Sequence, residues 1–331
     1  MTSSYPASAS RRQRLPRLAG WAASVAILVA TVLLLRDRFA DVGAAGGLPG
    51  VVPSAAAALL FLLANAVLAD TWRRMVAVAG PRLPWGTAAW IWSVSQLARY
   101  TIGAAQVGGR AVMARRYGLA GTTGAVTALV EIGWQTSITA ALTLLTLPWW
   151  LPGAGDLTWL AWVGVAPVAV LGWGLIAPQG LVRGLAAALQ LGPLHRLIGE
   201  RVGAAAAGVR LTRRTAAELT VRFMLNTGLR LVGFVGLFAA VGGPLSAQGV
   251  LLAVGASAAG QLIGRLAVFS PGGLGPREGV TALIVAPALG GGPALVLVAA
   301  TRLLEVVAEV AFFGLTRLNR PAAALPVGDR G

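Results

Sequence analysis

The chain has 331 residues, of which 56% are hydrophobic and only 11% charged, with a mean hydropathy of +0.75. That balance excludes an ordinary water-soluble domain, and apolar runs of about 20 residues without strand-like alternation point to an all-α, polytopic integral membrane protein. The net charge of +16 comes from arginine alone, interleaved between apolar segments, so it reads as a positive-inside bias with attraction to anionic lipid and not as a nucleic-acid surface. Cysteine is absent and His195 is the one histidine, so disulfides, thiolate chemistry and a histidine metal site are excluded and no cofactor is expected.

Residues 1–17 form a basic head carrying Arg11, Arg12, Arg14 and Arg17. The apolar run 18–35 is too long for a signal peptide and lacks a clear small-residue cleavage site, so it reads as a retained first span. Residues 51–69 make a second span that ends at Asp70 and Arg73-Arg74. Residues 85–100 are apolar but cover only about 24 Å, short of a hydrocarbon core of roughly 30 Å. Residues 101–109 are then glycine-rich, and 85–110 reads either as a hairpin dipping in from the cytoplasm or as an interfacial helix anchored by Trp85, Trp90 and Trp92.

Residues 122–147 and 157–177 are full spans. The arginine-rich connection 178–217 is expected to be amphipathic and to lie on the inner surface, with His195 solvated in it. Residues 219–241 cross again, residues 250–269 and 277–289 flank a glycine-rich break, and 293–315 form the last span before the tail 317–331. Nineteen arginines fall in connections on one side and two on the other, which puts both termini in the cytoplasm. The architecture is therefore six full spans plus two re-entrant or broken hairpins, or eight spans, in one domain over 18–316.

The second break, Ser270-Pro271-Gly272-Gly273-Leu274-Gly275-Pro276-Arg277-Glu278-Gly279, interrupts the chain where hydrocarbon is expected. Glycine and proline there stop a helix, and broken backbone at membrane depth is tolerated only when buried in protein or lining a wet cavity. A surface turn between two spans is the alternative. Gln96-Leu97, Arg99-Tyr100 and Gly108-Gly109-Arg110 are echoed 165–167 residues later by Gln261-Leu262, Arg265 and Gly275-Pro276-Arg277. Three spans lie between the copies, so halves at about 51–150 and 219–316 make a candidate inverted repeat, with chance and shared composition as the alternative.

Ionisable groups inside apolar segments are costly unless paired or hydrated, and so mark candidate sites. Here they are Arg99, Arg222, Arg230, Arg265, Arg277 and Arg302 with Glu131, Glu278, Glu305 and Glu309. Arg302, Glu305 and Glu309 share one helical face, as do Arg222, Asn226 and Arg230, and Thr127, Glu131 and Gln135. Structural pairing is the alternative, Arg302 with Glu305 or Arg230 with Glu309. Arg222 and Arg317 are expected to snorkel from helix ends. Arg277 after the break suits a phosphate at a helix N-terminus, with Glu278 as a cap partner or a brace for Arg277.

These residues resemble the lysylphosphatidylglycerol synthase transmembrane, or flippase-like, family. Its Pro-Gly-Gly-x-Gly-x-Arg-Glu mark is met by Pro271-Gly272-Gly273-Leu274-Gly275-Pro276-Arg277-Glu278, its last-span arginine by Arg302, and its helix-closing glycine by Gly314. The first-half pattern is met by Gly108, Arg110, Arg115-Arg116 and Glu131, departing where Gly108-Gly109 replaces a Gly-Glu pair and where only Glu131, Ile132 and Gln135 stand for a Glu-Arg…Asp set. The resemblance implies lipid handling without a lipid-modifying domain.

The expected function is a lipid translocator of the cytoplasmic membrane, moving an anionic phospholipid or a polyprenyl-phosphate-linked headgroup between leaflets. Gly272, Gly273, Gly275, Arg277 and Glu278 would hold the phosphate opposite Gly108 and Arg110, with Glu131, Arg230, Arg302, Glu305 and Glu309 as a polar track. No nucleotide-binding motif occurs, so ATP is not the direct energy source. The alternatives are a membrane transferase or accessory subunit for lipid-linked sugars, or an envelope scaffold. Expected partners are membrane lipids, with a second copy or a cell-envelope enzyme as further candidates.

Overall fold

Apolar runs broken by glycine and proline give eight main helices among the described residues, which are 48–100, 105–151, 211–267 and 270–319 of this computed structural model. They are α1 (Val51–Ala79), α2 (Trp85–Ala98), α3 (Ala105–Arg116), α4 (Gly121–Leu145), α5 (Arg213–Ala240), α6 (Ala247–Leu266), α7 (Pro276–Leu289) and α8 (Gly291–Leu318). A single helical turn, Leu147–Trp150, follows α4. No strand occurs among the described residues. The expected head 1–17, the spans 18–35 and 157–177, the connection 178–210 with His195, and the tail from 320 lie outside them.

Four helices, α1, α4, α5 and α6, are long and apolar enough to cross a membrane. α8 equals α5 in length at 28 residues but carries Arg302, Glu305 and Glu309. α2, α3 and α7 have 14, 12 and 14 residues and reach only about 18–21 Å, short of a hydrocarbon core. Each short helix folds back on its neighbour. Arg110 Nε of α3 donates to Ser95 Oγ of α2 at 3.0 Å, and Gly264 of α6 lies against the Arg277 stem of α7.

α1 and α5 run antiparallel, paired from Phe61 to Arg74. Phe61 faces Gly233, Asn65 faces Arg230, Asp70 faces Arg222 and Arg74 faces Glu218. This pairing corrects two expected boundaries. α1 does not stop at Asp70 but continues to Ala79, because Asp70 accepts from Arg73, Arg74 and Arg222. α5 begins at Arg213, inside the stretch expected to lie on the surface, capped by Thr212 accepting from the Thr215 N–H. Arg222 therefore does not snorkel; it bridges Asp70 and Glu218.

Small residues let α6 approach its neighbours closely. Its buried face is Gly249, Ala253, Gly255, Ala256, Ser257, Ala258, Ala259 and Gly260, which packs against α4 and α7 by contact rather than by bulk. A Cβ on Gly260 would sit 2.9 Å from the Arg277 carbonyl oxygen and closer still to the Thr281 hydroxyl. Gly260→Val is expected to destabilise the detergent-solubilised protein by about 1–3 kcal/mol through overpacking. Gly228→Ala, which meets open space, is expected to be neutral or to gain up to about 1 kcal/mol in helix propensity. Thermal melting of both variants checks the pair.

Candidate functional site

The site is built where two chain breaks meet. α2 ends at Arg99 and α3 begins at Ala105, so Gly108, Gly109 and Arg110 lie inside a helix and not in the break expected over 101–109. Gly109 serves instead for close approach, since a Cβ there would come 3.2 Å from Ala98. The second break follows α6, and Gly272, Gly273 and Gly275 take φ values of 60°, 73° and 91°, a region that side chains disfavour. The Gly272 N–H donates to the Arg99 carbonyl at 3.0 Å, so one break satisfies a backbone group of the other. Gly272 also returns its carbonyl to Arg302 Nη2 at 3.1 Å.

Around this junction the charged side chains form one contiguous cluster. Arg277 Nη2 donates to Glu305 Oε1 at 2.7 Å, and Arg230 Nη1 lies 3.7 Å from the same oxygen. Arg302 lies 3.6 Å from Glu278 and 3.7 Å from Glu305. Glu309 pairs with Arg99 and accepts from the Tyr100 hydroxyl at 2.9 Å, so its partner is Arg99 and not the Arg230 considered from spacing. The Tyr100 ring lies under both Arg99 and Arg302, at 5.2 and 5.4 Å from its centre.

Glu278 takes the cap role. Its Oε2 accepts from the Gly275 N–H at 2.7 Å, which closes the first turn of α7, while Oε1 faces Arg302 and leaves Arg277 to Glu305. The Arg277 guanidinium is thus already paired at the helix N-terminus proposed for an anion.

The first-half residues make a separate, closed unit. Arg110 and Glu131 are paired at 0% and 1% side-chain exposure. Glu131 also takes Trp92 and Gln96 at 3.3 Å, and Arg110 stacks over Trp72 at 5.2 Å. Gly108 is exposed and away from this pair. Two amides link the pair to the second-break cluster: Gln96, whose Oε1 accepts from Arg99 Nη1 at 3.4 Å, and Gln135, whose Nε2 donates to Glu131 Oε1 at 3.4 Å while its Oε1 accepts from Arg265 Nη2 at 3.2 Å. Gly314 lies within α8 and does not close it; the helix ends at Leu318.

A cavity of about 20 Å³, room for roughly one water, opens beside the cluster and is lined by Arg277, Glu278 and Arg302 with Ser257, Thr281 and Thr301, of which the two threonine hydroxyls donate to backbone carbonyls of their own helices. Buried polar atoms ordinarily find partners. Six buried atoms of this cluster have no hydrogen-bond partner among the described residues: Asn65 Nδ2, Arg99 Nε, Glu278 Oε1, Arg302 Nε and Nη1, and Glu305 Oε2. Such an arrangement can hold an anion or ordered water.

Sequence reasoning missed Asn65 and Tyr100. Asn65, a lone amide in a span of mean hydropathy 2.2, accepts from Arg230 Nη2 at 2.7 Å. A buried amide in so apolar a run was the available signal. Tyr100 had none beyond its place before the break.

Comparison of the chain with protein-family models, with characterised proteins and with solved structures finds no match.

Breaking the Arg110–Glu131 pair strands a buried charge. Arg110→Met is expected to lose about 3–5 kcal/mol of stability, and Arg110→Met with Glu131→Leu to be more stable than either single variant. Chemical denaturation in detergent reads both.

Proposed function

We propose that this chain is a lipid translocator of the cytoplasmic membrane, akin to the flippase-like proteins, moving a phosphate-bearing headgroup between leaflets. The observation that carries this reading is the meeting of two helix breaks on a buried, arginine-rich cluster with unpartnered polar atoms. Charges inside the bilayer are costly, and line substrate paths where they occur. Broken helices facing each other are a recurring way of holding a polar group at membrane depth.

In this reading the two halves form an inverted repeat of helix, broken hairpin and helix: α1 to α4 and α5 to α8. Three features support it. α1 and α5 are antiparallel. The α2–α8 contact through Ser93 and Thr316 has its counterpart in the α4–α6 contact through Thr139 and Arg265. The Arg110–Glu131 pair, α3 to α4, corresponds to Arg277–Glu305, α7 to α8. In this reading α1, α4, α5 and α8 cross fully, while α2–α3 and α6–α7 re-enter although α6 is long enough to cross; with the spans expected from the sequence at 18–35 and 157–177 this would make six full spans and two re-entrant hairpins, both termini cytoplasmic.

Arg277, Arg302 and the turn Gly272-Gly273 receive the headgroup, Glu278 gives way to it, and Arg230, Glu305 and Glu309 carry the polar track. Arg110 and Glu131 hold the first half together and do not touch the headgroup. Drive comes from the lipid gradient, the potential or protons.

The test is headgroup exposure in proteoliposomes carrying fluorescent lipids, read with an impermeant reductant. Protein-dependent movement is expected, reduced at least about tenfold by Arg277→Ala and by Glu305→Ala, which together remove the 2.7 Å pair. Movement unchanged by both variants, or no movement of any lipid with folded protein, would overturn the reading.

A further inference from the structure

The cluster carries more positive charge than it neutralises. Arg99, Arg230, Arg265, Arg277 and Arg302 stand against Glu278, Glu305 and Glu309, an excess of two positive charges among the described residues. Arginine does not shed its proton in proteins, so the excess is permanent. Away from this cluster the described carboxylates are engaged: Glu131 with Arg110, and Asp70 and Glu218 with Arg73, Arg74 and Arg222.

Arg265 accounts for half of that excess. Its guanidinium is held by neutral acceptors: the Gln135 carbonyl at 3.0 Å, Thr139 Oγ1 at 2.8 Å, Gln135 Oε1 at 3.2 Å and Gln261 Oε1 at 3.3 Å. None is a carboxylate. The residue beside it, Gly264, touches the Arg277 stem, so the turn of α6 that carries Arg265 borders the cluster while its guanidinium reaches to Gln135 and Thr139 of α4. Four neutral acceptors position a charge without cancelling it, which is the arrangement expected of a group kept for an outside anion.

Arg302 supplies the contact atoms. It is 4% exposed, lines the cavity, and has Nε and Nη1 without hydrogen-bond partners among the described residues. Its nearest carboxylate oxygens are 3.6 and 3.7 Å away, too far for direct hydrogen bonds. The cavity admits only about one water, so a phosphoryl group must displace something. Glu278 is the candidate, because its side chain is 22% exposed against 4% for both Glu305 and Glu309.

We infer that this cluster selects a dianionic phosphoryl group, a phosphomonoester or a diphosphate, over a monoanionic phosphodiester, with Arg302 and Arg277 as the contacts and Arg265 as the charge that sets the preference. The inference rests on the headgroup-site reading above and narrows its substrate class. A lipid ending in a phosphate or joined through a diphosphate fits; a phosphodiester such as an ordinary anionic phospholipid fits less well.

The test compares dodecyl phosphate with its methyl ester, which share a tail and differ in one charge, binding to the purified full chain in a non-ionic detergent at pH 8. There a phosphomonoester, with a second pKa near 6, is a dianion. The expected preference for the monoester is about tenfold or more, fading as the pH falls below that pKa. Arg265→Gln should cut the preference to within about threefold, Arg265→Lys should restore it, and Glu278→Gln, which removes the competing charge, should widen it. Opposite effects from two neutralising substitutions are not what general misfolding produces. Equal or tighter binding of the methyl ester, no binding of either probe, or a preference untouched by Arg265→Gln would overturn the inference. If the preference holds but no lipid crosses the bilayer, the translocator reading falls and the binding site stands. If lipid crosses but the two probes bind alike, the reverse is true.

Discussion

A polar group inside hydrocarbon must find a partner, and at this junction the partners come from both halves of the chain. The Gly272 N–H donates to the Arg99 carbonyl, and Arg302 donates back to the Gly272 carbonyl. Neither break could sit between apolar helices with its backbone groups open, since each unsatisfied group would cost several kcal/mol. Held together, they fix where α2 and α6 end and where the guanidinium groups are delivered. Gly272 follows from the same constraint, because its φ of 60° is one side chains disfavour and an added Cβ would come 3.0 Å from both Tyr100 and Arg302.

Two arginine–glutamate pairs, one per half, are put to different uses. Arg110 and Glu131 are sealed among Trp72, Trp92, Ser95 and Gln96, where the surrounding donors leave the carboxylate fully engaged and only Arg110 Nη2 lacks a hydrogen-bond partner among the described residues. Arg277 and Glu305 instead share their charges with Arg230 and Arg302, and Glu305 Oε2 keeps no hydrogen bond. The first is a structural bolt whose removal should unfold the hairpin. The second is a site with unused capacity, which is why the headgroup is proposed there.

Much of the fold could be read from the sequence, and the misreadings share a physical cause. Long apolar runs gave helices where expected, because hydrophobicity and length are local properties. The ends of α1 and α5 were misjudged because Asp70, Arg74, Glu218 and Arg222 look like helix-terminating charges until the antiparallel partner is in place. Gly108 and Gly109 resemble a break by composition, yet Gly109 is in a helix that needs a small residue against Ala98. The polar faces of α5 and α8 were visible as i, i+4 and i, i+3 spacings. Which arginine met which glutamate was not, because Arg99 reaches Glu309 across 210 residues.

The central claim is that the junction of the two breaks is a chamber that a phosphate-bearing headgroup enters. The chain has no cysteine, so Ser257→Cys places a single thiol on the cavity wall. The decisive measurement is its rate of modification by a small, charged, impermeant thiol reagent applied to either face of sealed vesicles, with and without dodecyl phosphate. Because the resting cavity holds only about one water and Ser257 is buried, the thiol should react slowly, as Glu278 gives way, and the phosphate lipid should slow it further. A thiol that reacts from neither face in protein that still moves lipid, or one indifferent to the phosphate, would contradict it.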